Sequence, residues 1–197
     1  MAQDARVTDT EPDPALHPLR ATDPGPRIQR LRAEHGPALL EFERTNRAYF
    51  AASVPDRGDA YFAHFDAMLR ERLAEQDAGV CHFHVLVDTD GAVLGRINLI
   101  DAEDGCAELG YRIAQNAAGR GLATAAVRAV CALAATRYGL TTLRAVTTLD
   151  NPASHTVLTR SGFTPEGPTT VNDRPALRFI RSLTSDRPVT WRGRPNS

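Results

Sequence analysis

The sequence predicts a mixed α+β domain, with a mostly antiparallel sheet of about seven strands and helices on both faces. Two patterns predict it. Between Val80 and Ile100 apolar residues alternate with other residues, and Thr89-Asp90-Gly91 interrupts the alternation, which indicates a hairpin. Two segments before this hairpin and one long segment after it carry apolar residues at spacings of three and four, which indicates helices.

The elements follow one another in a simple order. They are expected as a strand from Arg27, helices around 39–50 and 61–73, the hairpin, a strand at 106–113, a helix at 122–138, a strand at 143–149, a helix from 152 to about 161, and strands from 163 and at 176–183. Gly139 suits the C-cap of the long helix because glycine tolerates the left-handed conformation. Asn151 suits the N-cap of the short helix, with Pro152 in its first position.

The chain is long enough for one domain. Of its 197 residues, 42% are hydrophobic, so a core can form without disulfides or metals. Residues 1–26 contain five of the thirteen prolines among acidic and small polar residues, and they show no apolar period. We therefore expect a disordered leader at 1–26, a folded domain at 27–183 and a loose polar tail at 184–197.

Charge and cysteine content argue against several function classes. The net charge of −1 lacks the cationic excess that nucleic-acid binding requires. All 23 cationic side chains are arginine, so a lysine Schiff base and a lysine general base are both excluded. Cys81, Cys106 and Cys131 have no CxxC pairing and are expected to be reduced thiols. No apolar run is long enough to span a bilayer, and we expect a cytoplasmic protein with no direct nucleic-acid or membrane partner.

A glycine loop between a strand and the long helix is the first indication of chemistry. Gly119-Arg120-Gly121 lies where backbone N–H groups converge at a helix N-terminus and can hold a phosphate. The dinucleotide fingerprint needs a third glycine and the Walker loop needs a lysine, and the chain has neither. The loop is therefore either an ordinary tight turn or a site for the pyrophosphate of coenzyme A.

Three blocks make the sequence resemble the GNAT superfamily of N-acetyltransferases, and within it the Rim-type enzymes that acetylate the N-terminal amines of ribosomal proteins. The blocks are 107–113 (AELGYRI), 119–124 (GRGLAT) and 151–163, which begins NPAS and ends RSGF. The resemblance covers roughly residues 81–167, and the spacing of the three separate blocks makes it specific.

The resemblance implies a site for acetyl-CoA, which acts as a co-substrate, and no metal. The first block would be the strand whose backbone pairs with the pantetheine arm, and the second block would be the pyrophosphate loop. The asparagine of the third block would contact the coenzyme. The implied residues are Tyr111, Arg112, Ile113, Gly119, Arg120, Gly121, Leu122, Ala123, Thr124 and Asn151.

Two positions depart from the family pattern. Ala118 stands where the loop commonly begins with Gln or Arg, so phosphate binding would depend on backbone amides and Arg120. Leu158 stands seven residues after Asn151, where many members have a tyrosine that reprotonates the leaving thiolate. Rim-type relatives often lack this tyrosine too, so we interpret Leu158 as a subfamily trait.

The transfer needs a neutral amine, a polarised thioester carbonyl and a proton for the thiolate. Glu108 is the candidate base, and the alternative is an edge-strand carboxylate paired with an arginine. Ser154 is the candidate for handling the thiolate proton, and the alternative is a secondary helix cap. A backbone N–H near Ile113 would polarise the carbonyl. His82 and His84 share a strand face but have no third ligand of suitable spacing, so no metal is expected.

The predicted function is transfer of an acetyl group from acetyl-CoA to a primary amine. A direct ternary-complex mechanism is expected because no cysteine or serine lies in a recognisable nucleophile motif. The resemblance favours a protein N-terminal amine as acceptor. One alternative is a small amine, such as an antibiotic, a polyamine or an amino-acid derivative. Another is a non-catalytic acyl-CoA-binding sensor. A monomer and a homodimer are both compatible with the sequence.

Overall fold

One mixed sheet organises the fold. A computed structural model describes residues 17–18 and 25–184. The strands are β1 (His17–Pro18), β2 (Arg27–Arg30), β3 (His82–Val87), β4 (Val93–Glu103), β5 (Cys106–Ile113), β6 (Thr142–Thr148), β7 (Thr164–Val171) and β8 (Arg174–Ser182). The helices are α1 (Gly36–Thr45), α2 (Arg47–Ala51), α3 (Gly58–Ala63), α4 (Phe65–Asp77), α5 (Leu122–Thr136) and α6 (Pro152–Arg160).

The sheet order is β1-β2-β3-β4-β5-β6-β8-β7. Neighbouring strands are antiparallel except β5 and β6, which run parallel and are connected through α5. A parallel pair needs such a crossover because the chain must return to the same end of the sheet. The predicted mostly antiparallel α+β fold is confirmed. Its seven expected strands correspond to β2–β8, and β1 adds a two-residue strand beside β2.

The helices lie on both faces of the sheet. Arg72 of α4 lies over the ring of Phe83 at 5.9 Å, whereas Tyr138, just after α5, contacts the adjacent residue His84 at 2.8 Å. Because neighbouring strand residues point to opposite faces, α4 and α5 cover different sides. The apolar stripe of α5 is fully buried against its side. It consists of Ala126, Val127, Val130, Cys131 and Ala134.

Each of the two early helices predicted from the sequence is interrupted. Asn46 separates α1 from α2, and His64 separates α3 from α4. At both positions a side chain reaches the carbonyl four residues earlier: Asn46 Nδ2 donates to Phe42 O at 2.9 Å, and His64 Nδ1 lies 2.9 Å from Ala60 O. Such side chains compete with the helical backbone bonds and can break a helix. The apolar period of the sequence is not changed by such a break, so it predicts one helix where the structure has two.

The predicted leader and tail fall almost entirely outside the described residues. The described part of the leader includes His17–Pro18, which pairs with Arg27 and Ile28 of β2. Residues 1–16, 19–24 and 185–197 lie outside the description. The three cysteines are free thiols, as predicted. None of the helices between residues 25 and 184 is long and apolar enough to cross a membrane.

Candidate active site

A cleft opens in the middle of the sheet, where β5 and β6 stop pairing. The parallel pairing covers residues 106–108 of β5 and 142–144 of β6, and no pairing between these strands follows it. The cleft has a volume of about 270 Å³ and is lined by the unpaired halves of both strands, by α6 and by residues 53–55. An extended ligand can therefore enter between the two strands and reach the centre of the sheet.

Backbone groups of β5 face this cleft without a strand partner. Ala114 donates its N–H to the carbonyl of Leu94 on β4 at 2.8 Å. Because backbone groups alternate in direction along a strand, those of Arg112 also face β4, whereas those of Tyr111 and Ile113 face the cleft. Tyr111 and Ile113 are thus free to pair with an extended ligand. The backbone groups of Arg112 are used by β4, and a contact of this residue with the coenzyme stays a prediction.

The glycine loop leads into a helix N-terminus that has no side-chain cap. Gly119 and Gly121 have φ angles of 73° and 78°, in the left-handed region that favours glycine. The helical bonding begins with Ala125 N–H to Gly121 O at 3.1 Å, so the three preceding N–H groups have no partner within the helix. These groups belong to Leu122, Ala123 and Thr124. Together with exposed Arg120 they form an arrangement that can hold a phosphate.

Two hydroxyl groups meet inside the cleft. The Tyr111 hydroxyl lies 2.9 Å from Ser154 Oγ, so the Ser154 side chain contacts a strand residue rather than capping its own helix. Asn151 is the N-cap of α6, as predicted, and its Oδ1 accepts the Ser154 N–H at 3.0 Å. Burial raises the pKa of Tyr111 to about 12, against the opposing effect of the Ser154 hydrogen bond. The phenol therefore remains protonated at neutral pH.

Glu108 lies where the β5–β6 pairing ends, beside the cleft but not among the residues that line it. It is the last residue of β5 that pairs with β6, where its partner is Arg144. Its side chain shares the strand face of Gly110 and Arg112. The space over Gly110 is open, with no neighbouring atom within 4 Å of the position that a Cβ would occupy. The alternative of an edge-strand carboxylate does not hold, because β5 is an interior strand. Glu108 is exposed, and it has no ion-pair partner among residues 25–184.

The comparison with protein families decides what this cleft belongs to. A family model described as an acetyltransferase (GNAT) domain matches residues 27–164, more than half of the chain. The chain belongs to the GNAT acetyltransferase family. It is an acetyl-CoA-dependent N-acetyltransferase, as predicted, and this favours an enzyme over the sensor alternative. A search of curated proteins finds no match to the sequence.

Solved GNAT structures share the fold at low sequence identity. The ribosomal-protein-S5-alanine acetyltransferase of Vibrio fischeri has a TM-score of 0.75 and 17% identity, covering 83% of this chain and 96% of that one. RimJ of Mycobacterium smegmatis has a TM-score of 0.72 and 20% identity, with coverages of 80% and 81%. A chimera of the spermidine N-acetyltransferase SpeG from Vibrio cholerae and hSSAT has a TM-score of 0.66 and 16% identity, with coverages of 81% and 96%. The resemblance to Rim-type enzymes is confirmed.

A buried carboxylate that sequence reasoning missed lies beside the GNAT cleft. Glu43 of α1 is 2% exposed, and its two oxygens contact Arg96 Nε at 2.7 Å and Arg112 Nη1 at 3.2 Å. Arg96 and Arg112 are cross-strand partners on β4 and β5. The cluster therefore connects the helical layer to the two strands that form one wall of the cleft. We call this wall, which carries Arg96, Asn98, Gly110 and Arg112, the α1 side.

A signal for this cluster was present in the sequence. Glu43 lies four residues after Leu39 and one after Phe42, so it interrupts the apolar stripe of α1. Arg96 interrupts the apolar run of β4 in the same way. The apolar pattern assigns both positions to the core, yet one holds a carboxylate and the other a guanidinium. Because an unpaired buried charge is strongly unfavourable, this combination predicts a buried ion pair.

Both arginines of the cluster remain charged. Burial lowers the pKa of Arg96 to about 10, with Glu43 opposing this shift and Arg57 and Arg112 adding to it. Burial likewise lowers the pKa of Arg112, again against Glu43. Neutral pH is still well below the value for Arg96, and an arginine guanidinium is not deprotonated in proteins, so both guanidiniums stay protonated. The α1 side of the cleft is consequently cationic.

Asn46 connects the α1 side to the start of the glycine loop. Its Oδ1 accepts the Gln115 N–H at 2.8 Å, while its Nδ2 donates to Phe42 O. Gln115 begins the short turn at Gln115–Ala117 that leads into the loop. The residue that interrupts the first helix thus also fixes the position at which β5 leaves the sheet.

The two histidines of β3 contact Tyr138. The His82 ring stacks on the Tyr138 ring at a centroid distance of 3.7 Å, and His84 Nε2 lies 2.8 Å from the Tyr138 hydroxyl. Burial lowers the pKa of His84 to about 3, so its ring is neutral near pH 7. In the part of the chain that the structure describes, no cluster of three His, Cys, Asp or Glu side chains is placed to hold a metal ion.

Proposed function

We propose that this GNAT enzyme acetylates the N-terminal α-amino group of a protein, with acetyl-CoA bound in the cleft between β5 and β6. One observation carries the proposal. The β5–β6 pairing ends at Glu108, and beyond it opens a cleft that holds the Ser154 hydroxyl and that the unpartnered backbone of Tyr111 and Ile113 faces. Amide formation needs a base for the amine, a donor to the thioester carbonyl and a proton for the leaving thiolate, and these groups can supply all three.

Acetyl-CoA supplies an activated acetyl group on a good leaving thiolate. The backbone of Tyr111 and Ile113 would pair with its pantetheine arm, as a strand would. The N-terminus of α5, with the loop residues Gly119, Arg120 and Gly121, would hold the pyrophosphate. Asn151 uses its Oδ1 for the helix cap and keeps its amide nitrogen as a donor for the coenzyme.

The residues of the chain act on the amine and the carbonyl in sequence. Glu108 accepts the proton of the attacking ammonium, directly or through water, so that the nitrogen lone pair can form the C–N bond. The Ile113 N–H donates to the carbonyl oxygen, where negative charge develops as the bond forms. The nitrogen then loses its second proton to water, the carbonyl re-forms as the C–S bond breaks, and the sulfur needs a proton.

Ser154 is placed to supply that proton. Its hydroxyl donates to the thiolate while the Tyr111 hydroxyl, 2.9 Å away, donates to Ser154 Oγ. The buried Tyr111 stays a neutral donor because burial raises its pKa. The pair would fill the role that many GNAT members give to a tyrosine at the position of Leu158, which is 1% exposed here.

Two classes of acceptor are candidates: a protein N-terminus and a small amine. Similarity to Rim-type structures supports a protein N-terminus, and similarity to the SpeG chimera supports a small amine as a second candidate. The cationic α1 side disfavours a polyamine, because like charges repel across a partly desolvated cleft.

The acceptor class is tested by thiol release from acetyl-CoA with three substrates: a peptide with a free N-terminus and no lysine, the same peptide with a blocked N-terminus, and spermidine. We expect turnover with the free peptide alone, because the proposed acceptor is its α-amine. Mass spectrometry should place one acetyl group on the first residue. If spermidine is acetylated and neither peptide is, the proposed function is wrong and the enzyme acetylates a small amine.

Gly121→Ala tests the pyrophosphate site. A side chain at a φ of 78° costs about 1–2 kcal/mol, and relief of this strain would displace the N–H groups at the start of α5. We expect the Kd of CoA, measured by calorimetry, to rise by roughly tenfold. Gly139→Ala is the matched control because Gly139 has a φ of 69° at the other end of α5. Equal Kd values for the two variants would contradict a phosphate site at Gly121.

Glu108→Gln tests the general base. The variant keeps the size of the side chain but cannot accept a proton, so we expect kcat to fall by about 100-fold or more. The Kd of CoA should not change, and the residual rate should rise with pH as more of the acceptor amine becomes neutral. The control is Glu71→Gln, an exposed carboxylate on α4. A kcat within twofold of the wild type would remove Glu108 from the mechanism.

Ser154→Ala tests the proton donor. Without the hydroxyl the leaving sulfur depends on water, and we expect kcat to fall by at least roughly tenfold. An acetyl donor whose thiol has a much lower pKa than CoA should recover part of the loss, since its thiolate leaves without protonation. Thr156→Val, on the exposed part of the same helix, serves as control. A loss of the same size with both donors would mean that Ser154 acts through packing alone.

A further inference from the structure

Three arginines and a single buried carboxylate lie together beside the cleft. Arg96 and Arg112 contact Glu43, and the nearby Arg57 lowers the pKa of both. From this excess of positive charge we infer that the acceptor carries a carboxylate near its amine, in the form of an acidic second residue of a protein N-terminus. The inference rests on the proposed transfer to an N-terminal amine and adds the chemistry that selects the acceptor.

The arginines lie where an acceptor would enter. A second cavity of about 220 Å³, between the sheet and helices α3 and α4, is lined by Glu43, Arg57 and Arg96. It shares Arg96 and Asn98 with the cleft between β5 and β6. An acceptor that approaches the thioester from this side therefore passes the guanidiniums before its amine reaches Glu108.

A purely structural role does not account for the third arginine. Glu43 is already shared by Arg96 and Arg112, and Arg57 has no ion-pair partner among residues 25–184. The Arg57 guanidinium lies over the Tyr61 ring at 4.4 Å, and its buried Nε has no hydrogen-bond acceptor in that part of the chain. A buried N–H donor without an acceptor is unfavourable while no ligand is bound. An anionic ligand would accept its hydrogen bond.

The other charged groups near the cleft do not cancel this excess. Arg72 is paired with Glu75, and Arg174 is paired with Asp150. Arg47 is paired with both Asp56 and Asp59, which reduces the excess from two positive charges to one. Glu108 is the remaining carboxylate of this wall, and its proposed partner is the amine itself. The α1 side thus has a carboxylate at Glu108, where the β5–β6 pairing ends, and a group of arginines at Arg96, Arg112 and the adjoining Arg57. This polarity matches an acceptor with an ammonium at one end and a carboxylate at the other.

The spacing along β5 selects the second residue of the acceptor. The open space over Gly110 is the place for the amine, because Gly110 lies two residues from Glu108 and two from Arg112, roughly 7 Å along the strand from each. The carboxylate of a glutamate at the second position of an extended peptide lies at a similar distance from the N-terminal amine, since each residue spans roughly 3.5 Å. A free amino acid holds its carboxylate much closer to its amine and cannot reach both ends at once.

Two peptides that begin alanyl-glutamyl and alanyl-glutaminyl, and are otherwise identical, test the inference. Initial rates are measured at saturating acetyl-CoA with the wild type, Arg57→Gln, Arg57→Lys and Arg70→Gln. We expect the wild type to favour the glutamyl peptide in kcat/KM by about tenfold or more, mainly through KM. Arg57→Gln should bring the ratio close to one, Arg57→Lys should restore part of it, and Arg70→Gln, an exposed arginine of α4, should keep it.

The outcomes separate this inference from the proposed function. Equal kcat/KM for the two peptides, or a ratio that survives Arg57→Gln, would overturn the inference and leave N-terminal acetylation standing. Acetylation of an amine-bearing dicarboxylate with no turnover of either peptide would overturn the proposed function and the peptide acceptor together. If neither the peptides nor the dicarboxylate is acetylated, calorimetry measures the binding of the two N-acetylated peptides to the CoA-bound enzyme. Equal Kd values for the glutamyl and glutaminyl peptides overturn the inference. An unchanged Kd for CoA shows that the Arg57 variants are folded.

Discussion

The structure depends on the separation of β5 and β6 halfway along their length. A sheet normally satisfies every interior backbone group, and here the pairing ends at Glu108 and Arg144 while both strands continue. The backbone of Tyr111 and Ile113 is left facing a cleft rather than a neighbouring strand. Such groups are unfavourable if they stay buried without partners, and a ligand with an extended amide-containing arm satisfies them as a strand would. The same interruption therefore creates the space for a ligand and part of its binding energy.

The Glu43 cluster holds one wall of this opening in place. A buried ion pair contributes little to stability by itself, because desolvation of the charges offsets most of their attraction. Its effect here is positional: Glu43 accepts a hydrogen bond from Arg112 on β5 and forms an ion pair with Arg96 on β4, so the helix cannot shift along the strands without leaving a charge unpaired. Asn46, one turn later on the same segment, bonds to Gln115 at the end of β5. Together the two residues fix α1 against the C-terminal end of the unpaired part of β5.

Most of the fold could be predicted because its signals are local. The alternation in β3 and β4, the N-cap at Asn151 and the glycines of the loop each depend on a few consecutive residues. The missed features depend on distant pairs. Arg112 and Glu43 are 69 residues apart, as are Gln115 and Asn46. The direction of the Arg112 backbone follows from the register of β5 against β4, and a shift by one residue would reverse it. No pattern within a single segment specifies that register.

The two departures from the family pattern become consistent with activity once the cleft is described. Ala118 offers no side-chain contact, yet the N–H groups at the start of α5 and the exposed Arg120 remain available to a phosphate. Leu158 offers no proton, yet Tyr111 and Ser154 place two hydroxyls in the same cleft. On the proposed mechanism the proton donor has moved from the helix to a contact between the helix and the strand. A donor of this kind requires β5 and α6 to keep their distance, so the residues that position β5, Glu43 and Asn46 among them, become part of what the reaction requires.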